Sequence, residues 1–261
     1  MSLIARNIKL KIGNKSLLNQ VNVDINPGEF VAVLGPNGAG KSSLFKVLTR
    51  EFDFFEGDVE LNGKKYTQWT AQQIALQLGV LPQSSTLNFP FTAFDVVQLG
   101  RLPHSTGRIR DQEIATQALE KVDAIHLASN IYPSLSGGEK QRVQFARVLA
   151  QIWEPTELTK ERYLLLDEPT SALDLAHQHL TLKLAKQLTR QGLGVMAIVH
   201  DLNLASEYAD RIIMLKDGQI YTQGMVEESL KEENIKHVFN IDVRVIPHPE
   251  AAHPLIISCN S

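Results

Sequence analysis

The stretch Gly35-Pro36-Asn37-Gly38-Ala39-Gly40-Lys41-Ser42 constrains this 261-residue chain more than any other. It follows the uninterrupted apolar run Phe30–Leu34, which reads as a buried parallel strand. It leads into Lys41–Thr49, which reads as a helix. A GxxxxGK[ST] loop at a strand-to-helix turn is suited to hold phosphates. Gly35, Gly38 and Gly40 let several backbone N–H groups wrap one anion, and the helix N-terminus adds roughly half a positive elementary charge. Lys41 is expected to reach the β- and γ-phosphates and Ser42 to place its hydroxyl on Mg²⁺, with Ser43 next to it in the same site. The expected ligand is a nucleoside triphosphate.

Around this loop the pattern is α/β. Leu3–Ile25 alternates apolar and polar residues about a Gly13-Asn14 turn, as half-buried antiparallel strands do. A strand is predicted over 57–61, closed by Asn62-Gly63, then a helix over 71–78 and a buried strand over 79–81 ending at Pro82-Gln83. From about Ser84 to Trp153 no strand pattern occurs. Thr92 and Asp95 form a capping box ahead of Val96, Val97 and Leu99, 110–122 is amphipathic, and a further helix runs from Gly137 to about Trp153. Strands then alternate with helices: 163–166 before Asp167-Glu168, a helix over 175–189, 195–199 before His200, a helix over 202–208, and strands at 211–215 and 219–223. Such alternation predicts a mostly parallel, doubly wound sheet. The tail from Ile241 is strand-like but rich in proline and histidine.

Composition narrows the function classes. A net charge of −3 and a pI near 6.2 give no basic footprint, so nucleic acid is not an expected partner. The single cysteine, Cys259, excludes an intramolecular disulfide framework and fits a reducing compartment. The N-terminus lacks the basic and apolar regions of a signal peptide, and no apolar run approaches the ~18 residues of a membrane span. The chain is therefore expected to be soluble, with any membrane role arising through a partner. His177 and His179 are two apart and diverge by roughly 200° on a helix, while His248 and His253 lack metal-ligand spacing, so these read as solvated side chains.

Ligands of open parallel sheets bind beyond the carboxyl ends of the strands. Four predicted strands end in capable residues there: the phosphate loop, Gln83, Asp167-Glu168 and His200. Asp167, after four apolar residues, has the Walker B form suited to orient Mg²⁺, and Glu168 can act as general base on an attacking water. Ser136-Gly137-Gly138-Glu139 reads as a second anion-binding turn at a helix N-terminus, although taken by itself a plain capping box is the better explanation.

Leu135-Ser136-Gly137-Gly138-Glu139-Lys140-Gln141-Arg142 resembles the signature of ATP-binding-cassette ATPases, and the other landmarks stand in order. They are Gln83 as the Q-loop, Asp167-Glu168-Pro169-Thr170, Ser171-Ala172-Leu173-Asp174 as the D-loop, and His200. The resemblance covers nearly the whole chain. It implies one cassette spanning 1–261: a P-loop NTPase (RecA-like) core with a mostly parallel sheet and an antiparallel β subdomain (1–83 and 160–261), with a helical signature subdomain inserted at 84–159. It implies a homodimer in which Ser136, Gly137 and Gly138 face ATP held by the partner's phosphate loop and Asp174 crosses the interface. His200 is then expected to hydrogen-bond the γ-phosphate, and Gln83 to serve Mg²⁺ and a partner contact. The family usually stacks an aromatic residue on adenine; alignment through Leu18 places Ile12 there instead.

Gly100-Arg101-Leu102-Pro103-His104 and His200–Ala205 resemble the importer branch for iron-siderophores, cobalamin and hemin. The stretch 153–162, with Phe145–Gln151 before it, resembles hemin-importer ATPases in particular. The implied partners are two membrane-spanning permease subunits and, indirectly, a periplasmic hemin-binding protein. The implied location is the cytoplasmic face of the inner membrane. A siderophore or cobalamin importer, and a soluble cassette ATPase acting on ribosomes or DNA, are the alternatives.

Overall fold

A computed structural model describes residues 1–83, 87, 89–155 and 160–259. The expected subdomain limits at 84 and 159, and the middle of the 153–162 stretch, lie outside the described residues. Strands β1 (Leu3–Ile12) and β2 (Lys15–Ile25) form the expected antiparallel pair. β3 (Phe30–Leu34) feeds the phosphate loop and α1 (Lys41–Leu48). β4 (Glu56–Leu61) and β5 (Lys64–Lys65) complete a sheet of order β2-β1-β4-β5. α2 (Ala71–Ala75) precedes β6 (Leu78–Leu81), so Leu78 opens the strand rather than closing the helix. Leu78 pairs with Tyr163, and burial in the sheet outweighs its helix propensity.

The helical segment comprises α3 (Ala93–Gln98), α4 (Arg108–Lys121) and α5 (Gly137–Gln151), which pack on one another. Thr92 caps α3 as expected, whereas Leu99 lies in a following 3-10 turn, Leu99–Arg101. The core then resumes with β7 (Tyr163–Asp167), α6 (Leu175–Thr189), β8 (Gly194–Ile198), α7 (Leu202–Tyr208), β9 (Arg211–Lys216) and β10 (Gln219–Met225). Two helices absent from the sequence reading, α8 (Val226–Ser229) and α9 (Glu232–Phe239), lead to a hairpin of β11 (Val243–Pro247) and β12 (Pro254–Ser258).

The central sheet has the order β10-β9-β3-β8-β7-β6, parallel throughout except for β10 at its edge. Both faces are covered, which explains why its strands are continuous apolar runs. Phe30, Ala32 and Leu34 face one buried cluster together with Leu164, Leu166, Val195 and Ala197. Val31 and Val33 face the other, with Leu165, Met196, Ile198 and the inner face of the antiparallel sheet. No helix of the described residues is long and apolar enough to cross a membrane.

The Gly100–His104 segment has a packing role. A Cβ on Gly100 would stand 2.2 Å from the Arg147 carbonyl oxygen of α5. Arg101, 3% exposed, donates to Ala150 O at 2.7 Å, Asp111 Oδ1 at 2.9 Å and Thr106 Oγ1 at 3.0 Å. Gly100→Ala is expected to force this turn off α5 and destabilise the fold by about 1–3 kcal/mol, the usual scale of overpacking. Thermal melting followed by circular dichroism checks this, with a fall of several degrees expected.

Candidate active site

The four chemically capable segments sit side by side because their strands do. β3, β8, β7 and β6 are consecutive in the sheet, with Val33 paired to Ile198, Asp167 to Ile198, and Leu81 to Leu166. Their C-terminal ends therefore deliver the phosphate loop, His200, Asp167-Glu168 and Gln83 to one edge.

The phosphate loop is held from both sides. Gly40 caps α1 with φ 103°, and a Cβ there would come within 2.8 Å of Leu17 O. Ala39 O accepts from Gly218 N at 3.0 Å, and Gly218 O accepts from Asn19 N at 2.8 Å, so the β9–β10 turn buttresses the loop. α1 has no side-chain cap and no acidic residue in its first turn, which leaves its N-terminal donors available to an anion. Lys41 is buried, and its Nζ donates to Gly35 O at 2.7 Å and Pro36 O at 3.0 Å. Burial lowers its pKa, against the raising influence of Glu168 and Asp167. A cavity of about 180 Å³ here is lined by Asn37 through Ser43, Glu168, and two residues not anticipated, Lys15 and Leu17. Ile12 is half-exposed at the end of β1 and is not among the lining residues. The alternation of β2 carries a signal for Leu17: Leu18 is fully buried, so its neighbour faces the other way.

β7 ends at Asp167, and the backbone turns at Glu168, a non-glycine residue with φ 50°. Such left-handed strain is typical of functional sites. Glu168 Oε2 accepts from Gln83 Nε2 at 2.8 Å, and Oε1 lies 2.7 Å from His200 Nε2. Burial raises the Glu168 carboxyl, but the hydrogen bond and charge of His200 and the Gln83 amide outweigh it and bring its pKa below the ordinary value. Asp167 behaves oppositely: burial first, then the charges of Glu168 and Glu51, push it up to about 6. Its Oδ1 is buried without a hydrogen-bond partner among the described residues. An orphaned, desolvated carboxylate oxygen behind the phosphate loop is what a divalent cation requires, and Ser42 in the adjoining cavity supplies a second hard oxygen. The residues therefore fit Mg²⁺.

The signature residues do not line this cavity. Ser136 caps α5 by accepting from Glu139 N at 3.4 Å, and Glu139 Oε2 accepts from Ser136 N at 2.7 Å, so the capping box is formed. Ser136 and Gly137 are exposed. Gly137 lines a separate cavity of about 230 Å³ with Gln83, Lys140, Gln141, Ser171 and Ala172. Asp174 caps α6 through His177 N at 2.9 Å. His177 is only 25% exposed in its side chain and is bonded on both sides, which corrects its reading as a solvated residue. The missed residue Gln141 donates to Glu168 O at 3.2 Å and accepts from Ala172 N at 3.3 Å.

A model of the ABC transporter family matches residues 18–171. This chain belongs to the ABC transporter family. The hemin import ATP-binding protein HmuV of Gloeobacter violaceus is 48% identical over 259 residues, covering 98% of this cassette and 94% of that protein. HmuV of Pseudomonas fluorescens is 48% identical, covering 97% and 98%. Among solved structures, an inward-facing metal-chelate-type ABC transporter superposes with a TM-score of 0.81 at 28% identity, covering 99% of this cassette and 97% of that chain. The dimeric ATP-binding cassette MJ0796, in a post-hydrolysis state with ADP and Pi, gives 0.75 at 28% identity, covering 86% and 98%. The fold expected from the sequence is that of these relatives.

Two outcomes follow for the ABC cassette. Without divalent cation, the raised pKa of Asp167 makes the folded state lose stability as pH rises from about 4 through about 6, because the unfolded chain ionises first. Asp167→Asn should therefore melt higher than wild type above about pH 7 and converge with it near pH 4, as differential scanning fluorimetry across pH would show. Glu168→Gln should lower ATP turnover by about 10²–10⁴ while retaining nucleotide binding, measured by phosphate release and by a fluorescent ATP analogue.

Proposed function

We propose that this chain is the ATP-hydrolysing subunit of an importer that energises hemin uptake across the inner membrane. It sits on the cytoplasmic face, held there by two membrane-spanning permease subunits, and works as a homodimer. A periplasmic hemin-binding protein delivers the cargo. The observation that carries this reading is the 48% identity to hemin import ATP-binding proteins along almost the full length of both chains.

The geometry supports a mechanism in which the chain's own residues do the positioning. ATP lies in the phosphate-loop cavity, with Gly35 to Ser43 around the phosphates and the base beside Ile12 and Leu17. Lys41 exchanges its two loop carbonyls for phosphate oxygens. Ser42, Asp167 and Gln83 would hold Mg²⁺, which would supply positive charge to neutralise that developing on the phosphates. Glu168 takes a proton from the water that attacks the γ-phosphorus as the bond to the β-phosphate oxygen breaks. His200, already 2.7 Å from Glu168, orients that carboxylate and reaches the γ-phosphate. The exposed Ser136 and Gly137, with the half-buried Gly138, serve the second molecule's ATP, which accounts for their absence from this chain's own cavity.

The test is ATP-driven uptake by proteoliposomes carrying this chain and its co-purified membrane partner, with hemin, cobalamin and a ferric siderophore compared. Hemin uptake alone, abolished by Lys41→Ala and by Glu168→Gln, is the expected result. Uptake of another cargo instead would overturn the hemin assignment and leave the ATPase role standing. Co-purification with ribosomes and no membrane partner would replace the importer reading with that of a soluble cassette ATPase.

A further inference from the structure

His177, in the first turn of α6, joins two parts of the cassette that the chain order keeps apart. Its ring Nδ1 lies 2.9 Å from both carboxylate oxygens of Asp174, and its backbone N–H donates to Asp174 Oδ1 at 2.9 Å. On its far side, Nε2 meets the Arg142 guanidinium of α5 in a close hydrogen bond. A guanidinium carries donors only, so Nε2 is the acceptor and the ring proton sits on Nδ1, donated to Asp174. The order Arg142 to His177 to Asp174 is thus fixed by chemistry, each group donating to the next.

The surroundings leave Arg142 few alternatives. It is buried, and its Nε has no hydrogen-bond partner among the described residues. The Asp123 carboxylate stands 3.8 Å from Arg142 Nη1 and 3.7 Å from His177 Nε2, near enough to balance charge but outside hydrogen-bond range. The preceding residue, Gln141, grips the same loop at its other end through Glu168 O and Ala172 N. Consecutive side chains of α5 therefore hold the segment between Glu168 and Asp174 at both ends. The same helix is capped at its N-terminus by Ser136.

We propose that His177 is a positioning residue for ATP hydrolysis, transmitting the placement of the signature helix to the Asp174 carboxylate. The proposal rests on the reading of the chain as a dimeric ATPase in which Asp174 crosses to the second cassette. When α5 moves against the core, Arg142 carries the imidazole with it, and the imidazole sets where Asp174 points. One nucleotide site thereby senses the engagement of the other through three side chains, none of which lines the phosphate-loop cavity.

His177→Phe keeps a ring of similar size and removes both contacts. In the dimer, kcat for ATP hydrolysis should fall about tenfold, within the usual range of coupling between sites, and the Hill coefficient should drop toward one. KM for ATP should stay within about twofold, because uniform nucleotide binding is untouched. His177→Gln, whose amide offers both a donor and an acceptor, should recover much of the loss. Adding His177→Phe to Asp174→Ala should cost nothing more, since the effect runs through Asp174. If His177→Phe does not fold, Arg142→Met and His177→Gln carry the same test. Unchanged kcat and Hill coefficient in a folded variant, additive losses in the double variant, or a matching rise in KM would each overturn the proposal. A wild-type chain without turnover would instead remove the ATPase reading itself, which no failure of the His177 variants can do.

Discussion

The parallel pairing of β3 with β8, and of β8 with β7, is the constraint from which the rest follows. It sets Val33, Ile198 and Asp167 in one row, so the first polar residues beyond them meet at a single edge. Loop length or surface charge could vary without altering that meeting. A one-residue slip of β7 would turn Asp167 to the other face and break it. The register is secured by burial on both sides: every residue of β3, β7 and β8 is buried, and each alternate side chain belongs to a different cluster.

At that edge, two acidic neighbours are driven apart in protonation by their surroundings. Asp167 is desolvated and lacks a partner for one oxygen among the described residues, whereas Glu168 has a bonded group on each oxygen. Adjacent carboxylates with opposite pKa shifts fit different tasks, one holding a cation and the other handling a proton. The strained backbone at Glu168 sends the two side chains to different neighbours.

Much of this was legible in the sequence because it depends on local patterns. Apolar runs of four or five residues leading into Gly35, Asp167 and His200 announce buried strands and their chemistry together. The limits of α6 and α7 follow from caps at Asp174 and Asp201. What escaped depends on tertiary context. Leu17 and Lys15 reach the phosphate loop only because β2 passes beneath Gly40, and no local signal states that approach. Gln141 and His177 lie in helices whose polar faces look solvated until α5 packs against the D-loop. Leu78 reads as helical until its pairing with Tyr163 is known. α8 and α9 are short, and their amphipathic stripes are intelligible only against the sheet edge they cover.

The clamp on the phosphate loop also bears on the order in which the molecule is made. The strand that feeds the loop, Phe30–Leu34, emerges early in synthesis, yet both of its sheet partners, Gly194–Ile198 and Arg211–Lys216, emerge late. The Gly218 turn that fastens Ala39 and Asn19 comes later still. Pairings this distant in sequence form slowly, because a long loop must close before the contact compensates for it. The most recognisable motif in the chain is therefore among the last to acquire its working shape, and its apolar strand must stay protected on the ribosome until nearly the whole cassette has emerged.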